Sequence, residues 1–291
     1  MNHRFCLLLL ALLSVTIGHA DEIRMVASDL LAEIISPPLK KAAVEKELDF
    51  KIKPLGTLPA LDRLRAGEID LAVIAIPDGE EIPRDEFRIR PFAYDVAVIA
   101  VNASNPINEI SKPDLAGIFG SGEQLNFKSW GELGLAGWGT RTIKPLLGVA
   151  EQSIALELFR HEVLLGGSMK PSVSSVREAE IEETLSRNIS SVGILSRVPE
   201  NKKLKILMIS ETGENDSPAY GPTVENIHVG DYPLRLPFYL AYKVRDEQKL
   251  EPIVRALLGS DVAAALNKNN FFALPENVRN QLPMSFDFQQ K

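Results

Sequence analysis

Beyond its first twenty residues the chain has no cysteine; the single one, Cys6, lies inside the leading segment. Disulfide scaffolds, thiol chemistry and cysteine metal centres are thereby excluded for the rest of the protein. Histidine is nearly as scarce. His161 and His228 are the two beyond residue 20, far apart and outside any H-x-x-x-H or H-E-x-x-H pattern, so no metal site and no cofactor are expected. The sequence also lacks G-x-S-x-G, G-x-x-x-x-G-K-[ST], and any G-x-G-x-x-G behind a strand. A hydrolase elbow, a P-loop and a dinucleotide fingerprint are each absent. No acid–base pair stands at a defined spacing, and the expectation is a protein that is not an enzyme.

What is present begins with an address. Arg4 gives a short positive start, residues 5–17 are apolar, and Gly18-His19-Ala20 places small residues where a signal peptidase cuts. Residues 1–20 read as a signal peptide, so the mature chain is expected to be periplasmic. The apolar stretch falls short of the roughly 20 residues that span a bilayer, and no later one is long enough. Removing residues 1–20 takes away one of 32 basic residues and no acid, leaving 31 against 39 acids and a formal charge of −8. That balance argues against nucleic acid as a partner. It does not argue against a small anion, whose binding is decided by local donors.

Along the chain, short β-rich runs alternate with amphipathic ones. Strand patterns cover residues 22–27, 50–54 and 70–76, with helix patterns over 30–48 (interrupted by Pro37-Pro38) and 60–66. Residues 92–101 read as one buried strand, 112–119 as a helix, 130–134 as a turn, and 153–165 and 176–187 as helices. Strands follow at 191–195, 205–210 and 236–244, then a helix at 250–266 and a loose tail after Pro283. Such alternation predicts an α/β fold with mainly parallel sheets flanked by helices.

Three stretches carry a resemblance. They are YDVAVIAVNASNPINEISKPDLAGIFGSGEQLNFKSWGELG at residues 94–134, YPLRLPFYLAYK at 232–243, and LEPIVRALLGSDVAAALNKNNFFALP at 250–275. The chain resembles the PstS-like periplasmic phosphate-binding proteins of ABC importers. The resemblance implies a type II periplasmic binding protein: two lobes, crossing strands between them, and a hinged inter-lobe cleft. It implies a first lobe from residues 21–98 and 233–291 and a second lobe from 99–232, with 92–101 and 236–244 as the crossings.

The family holds its oxyanion with helix N-termini, hydroxyls and an arginine, and this chain keeps only part of that set. Ser28-Asp29 matches the serine entry after the first strand, and Thr57 in Gly56-Thr57-Leu58-Pro59 is the one hydroxyl left in the second piece. The third piece has become Ile74-Ala75-Ile76-Pro77. In the fourth only Ser153 survives, with Glu151 close by where a carboxylate repels an anion. Arg141 and Lys144 lie upstream as possible substitutes, and the acids Glu178, Glu180, Glu182 and Glu183 read as a solvated helix face. The expected ligand residues are therefore Ser28, Asp29, Thr57 and Ser153. The partner is a small anion or polar solute, and beyond it an inner-membrane ABC permease. A second reading keeps the fold for partner contact in an envelope protein complex, with its old cleft decayed. In either case the chain is expected to be a monomer.

Overall fold

The computed structural model describes residues 22–76, 84–122, 125–149, 153–214 and 216–287. The leading segment, Pro77 and Glu151 fall outside that set. In chain order the elements are β1 (Ile23–Ala27), α1 (Asp29–Glu45), β2 (Phe50–Pro54), α2 (Thr57–Ala66), β3 (Leu71–Ala75), β4 (Phe87–Val96), β5 (Val98–Asn102), β6 (Glu109–Ser111) and α3 (Lys112–Phe119). Then come β7 (Lys144–Val149), α4 (Ala155–Glu162), β8 (Ser174–Arg177), α5 (Glu178–Arg187), β9 (Ser191–Leu195), β10 (Leu204–Ile206), β11 (Met208–Ser210), β12 (Ala219–Tyr220) and α6 (Val224–Val229). The chain closes with β13 (Arg235–Lys243), α7 (Glu247–Leu257), α8 (Ser260–Lys268), β14 (Phe272–Ala273) and α9 (Glu276–Asp287).

Two sheets define two lobes. The first has the order β14-β4-β13-β3-β1-β2 and the second β10-β5-β9-β7-β8, with a small third sheet β12-β11-β6. The expectation of mainly parallel sheets needs correction, because both large sheets are mixed. In the first, β1 pairs in parallel with β2 and β3, whereas β13 runs antiparallel to β3 and β4. In the second, β7 is parallel to β8 and β9, and β5 is antiparallel to β9. The reason is connectivity: helical crossovers give parallel neighbours, while strands entering from the other lobe arrive without one.

The crossing is sharper than the sequence suggests. Residues 92–101 are not one strand. β4 lies in the first sheet, β5 in the second, and Ala97 is the residue between them. The return path runs just before β13, which lies wholly in the first sheet, so residues 236–244 are not themselves the crossing. Both paths are stapled together at one point. The Ala97 N–H donates to the Leu234 carbonyl at 3.0 Å, and the Tyr232 hydroxyl donates to the Ala97 carbonyl at 2.7 Å. Tyr232 is fully buried, which pushes its phenol well above its ordinary range and keeps it a donor.

Several helix limits also move. α1 runs unbroken through Pro37-Pro38, because Leu31, Ile34, Ile35 and Leu39 form one buried stripe against the sheet and α8. The expected helix 250–266 is two helices, since Gly259 is extended at φ −71°, ψ 165° between α7 and α8. Residues 174–177 form β8, so the following helix starts only at Glu178, and 205–210 divides into β10 and β11 of different sheets. The backbone after Pro283 continues as α9 to Asp287 rather than loosening there. Among the described residues no helix is long and apolar enough to cross a membrane.

One cluster of buried charge in the first lobe is paired internally. Arg90 and Glu247, each under 10% exposed, pair at 2.7 Å, and Arg90 also donates to the Tyr242 hydroxyl at 2.7 Å. Arg88 reaches the other Glu247 oxygen at 3.2 Å. The network ties β4, β13 and α7 together. Burial pushes the Tyr242 phenol up to about 12.

Candidate functional site

Parallel register places three loops side by side at one edge of the first sheet. Ala27 lies opposite Pro54 on one side and Val73 on the other, so Ser28, Gly56-Thr57 and Ala75 all emerge from the same strand ends. Backbone bonds fix them there: Ser28 N–H to Val73 O at 2.9 Å and Leu55 N–H to Ala27 O at 2.8 Å. This is the end of an open α/β sheet where ligands settle.

Ser28 is the N-cap of the seventeen-residue α1, and its hydroxyl makes no capping bond. The side chain is half-buried and turned to no backbone donor of its own helix, which leaves it available to a solute. Asp29 follows at the first helical position and is exposed. There its carboxylate complements the helix dipole, and it would repel an anion approaching the same amides. Thr57 opens α2, and its hydroxyl donates to the Ala75 carbonyl at 2.8 Å. That bond latches α2 to the end of β3, so Thr57 offers a solute its remaining acceptor capacity rather than a free donor. Leu58, next in the helix, is 76% exposed.

Ser153 stands apart from these three, in the second lobe ahead of α4. Its hydroxyl accepts the Ala155 N–H at 3.0 Å and lies 3.4 Å from the Asp95 carboxylate. The remaining sequence candidates do not gather around it. Arg141 lies over the Trp138 ring at 4.7 Å, and Lys144 begins β7 at the strand end opposite to the one facing Ser153.

Three acids, Asp95, Glu178 and Glu182, take positions that the sequence pattern does not show. Asp95, near the end of β4, is 2% exposed, yet its carboxylate serves the second lobe. Oδ2 accepts the Ile154 N–H at 3.1 Å, and Oδ1 accepts the Val96 N–H at 2.8 Å. Burial outweighs those donors and raises its pKa to about 6. Glu178 departs from the solvated helix face expected of it and its neighbours. Glu180 and Glu183 are indeed exposed, but Glu178 is half-buried and accepts both the N–H (3.1 Å) and the hydroxyl (2.9 Å) of Ser196. Glu182 is likewise drawn inward, to the N–H of Asn201 at 2.9 Å. Asp95, Ser153, Glu178, Ser196, Lys268, Asn269 and Asn270 together line a cavity of about 120 Å³, to which elements of both lobes contribute. The signal was legible for Asp95. A lone acid inside PFAYDVAVIAV must find donors if the strand is buried.

A profile of the PBP superfamily domain matches residues 16–258. The chain belongs to the PBP superfamily. Within it the relatives are PstS-like. The phosphate-binding protein PstS of Pseudomonas aeruginosa is 22% identical over 279 residues, covering 90% of this chain and 85% of the relative. Among solved structures, PstS from Borrelia burgdorferi superposes with a TM-score of 0.69 at 14% identity, over 87% of this chain and 98% of that one. An ABC-type phosphate transport receptor from Vibrio cholerae gives 0.62 at 18% identity, over 87% and 100%. At such identities the structural likeness establishes the two-lobed PBP architecture.

Proposed function

We propose that this chain is an exported solute-binding protein that closes its two lobes around a small oxyanion or polar solute and presents it to an inner-membrane ABC permease. The observation that carries this reading is the Ser28 hydroxyl, free of any capping bond, at the N-terminus of a long helix beside the α2 entry. Helix N-termini at adjacent strand ends favour acceptor groups through their unpaired N–H groups and dipoles. The PstS-like relatives support the same class of ligand. On this reading residues 1–20 are a signal peptide, 21–98 and 233–291 build the first lobe, 99–232 the second, and the protein acts as a periplasmic monomer without enzymatic activity. Ser28, Thr57 and Ser153, with Asp29 as helper, contact the solute.

Leu58 at the start of α2 and Val149 at the end of β7, 76% and 53% exposed, favour a second reading. In it the same fold is kept as an interaction module of an envelope complex, because exposed apolar side chains at a ligand rim suit a protein partner. Thermal unfolding of the exported chain against phosphate, sulfate and a panel of polar solutes separates the two. A solute that binds only the folded state adds about 2.7 kcal/mol at a hundredfold excess over its dissociation constant. The expected result is a raised midpoint with at least one solute, lost in the Ser28→Ala/Thr57→Ala/Ser153→Ala variant. A midpoint that no solute moves would transfer the assignment to the interaction module.

A further inference from the structure

The start of α4 already holds an anion. Ile154 and Ser153 are the donors that a solute oxyanion would meet on the second-lobe wall, and Asp95 takes both, at 3.1 and 3.4 Å. The carboxylate reaches them from β4, two residues ahead of the crossover at Ala97, so it links the lobes beside the hinge. It is a buried charge, 2% exposed, and one oxygen is further held by the Val96 N–H at 2.8 Å. The adjoining cavity adds a second acid. Glu178 Oε1 is occupied by Ser196, while Oε2 is buried with no hydrogen-bond partner.

We propose, on the reading of this cleft as a solute site, that Asp95 is a resident anion that closes the α4 seat to solute oxyanions and thereby decides which ligands the protein accepts. An external dianion at this helix N-terminus would have to displace a carboxylate already bonded there, or lie against it in a poorly solvated cavity where like charges repel strongly. The second-lobe wall consequently meets a solute with acceptors and hydroxyls, and it favours a neutral or donor-bearing face. Specificity on this side comes from an unfavourable charge as much as from any attractive contact.

Calorimetric titration of the purified exported chain with sodium sulfate and with inorganic phosphate tests the proposal. Asp95→Ser frees the Ile154 N–H and keeps a small hydroxyl. It is expected to tighten sulfate binding by about tenfold or more, the usual worth of a charge-assisted hydrogen bond. Asp95→Asn, which removes the charge but puts an NH₂ against one backbone donor, is expected to gain less. A folded Asp95→Ser protein that takes sulfate no better than wild type overturns the proposal. Wild type supplies a check that needs no variant. Sulfate remains a dianion from about pH 7.5 to about pH 5, whereas burial has moved Asp95 into that range, so sulfate binding should strengthen as pH falls. The other charged groups at the cavity are Glu178 of α5 and Lys268 of α8, and His228 of α6 bonds Tyr94 next to Asp95. The trend must therefore persist in Glu178→Gln and in His228→Gln and vanish in Asp95→Ser, and a flat or reversed trend in a wild type that does bind sulfate also overturns the proposal. A gain in Asp95→Ser while wild type answers no solute would uphold the resident anion and remove the solute-binding function. Solute binding by wild type with no gain in the variant would do the reverse.

Discussion

Replacing Asp95 with serine and following stability across pH isolates the cost of keeping one carboxylate dry. Two effects oppose each other at this residue: burial favours the neutral acid, and the N–H groups of Ile154 and Val96 with the Ser153 hydroxyl favour the ion. Burial prevails, lifting the carboxyl from 3.8 to about 6. A shift of that size corresponds to roughly 3 kcal/mol at about 1.36 kcal/mol per unit. Because the value is raised in the folded state, the stabilising contribution is full below about pH 4 and is lost as pH climbs through about 6. Between about pH 7.5 and about pH 4.5, wild type should gain on Asp95→Ser by about 2 kcal/mol of the total. Urea unfolding of both proteins at matched pH reads this directly, since acids elsewhere titrate alike in the two and cancel. With a slope of about 3 kcal/mol per molar urea, the gap between midpoints should change by about 0.7 M in favour of wild type as the solution is acidified. A gap that stays constant would mean that the three donors balance burial, and one that moves against wild type on acidification would mean that they outweigh it; either result refutes the raised carboxyl.

Two further substitutions probe the frame that holds the site. Glu247→Ala strands Arg90 in the first lobe without its 2.7 Å partner, and should cost about 3–5 kcal/mol in urea unfolding; a loss below about 1 kcal/mol would show that Tyr242 and solvent suffice for the guanidinium. Tyr232→Phe removes the 2.7 Å bond to the Ala97 carbonyl inside the hinge. It should cost about 1–3 kcal/mol and speed hydrogen exchange at the Ala97 amide, whereas unchanged exchange would separate the staple from hinge rigidity.

The sequence carried the α/β alternation and the position of Ser28 and Thr57 at strand ends, because those follow from local periodicity and capping chemistry. It carried the family as well, through the Asn-Pro turn and the Trp-Gly-Glu-Leu-Gly segment. The break at Ala97 was not legible. Ala97 is as apolar as its neighbours in YDVAVIAV, and only the identity of the partner strand on each side distinguishes β4 from β5. For a similar reason the two sheets read as more parallel than they are, since strand direction is set by long-range entry rather than by the strand's own residues. Glu178 is hidden in the same way, because a run of four acids on one helix has the pattern of a solvated face. What draws this one inward is Ser196 on the far side of β9, eighteen positions later.

The place of β13 in the first sheet has a consequence for the order in which the molecule can be assembled. It lies between β3 and β4, pairing Leu240 with Val73 on one side and with Arg90 on the other. Before residues 235–243 exist, β3 and β4 share no neighbour, and two backbone edges face each other across a gap one strand wide. The second sheet needs nothing outside residues 98–206. A growing chain can therefore complete its middle while its beginning waits for its end. The partners at that last joint are separated by more sequence than any local structure can bridge, which makes closing it the slow event. Until then β3 and β4 lack the strand that joins them, and the first sheet stays unfinished however long synthesis lasts.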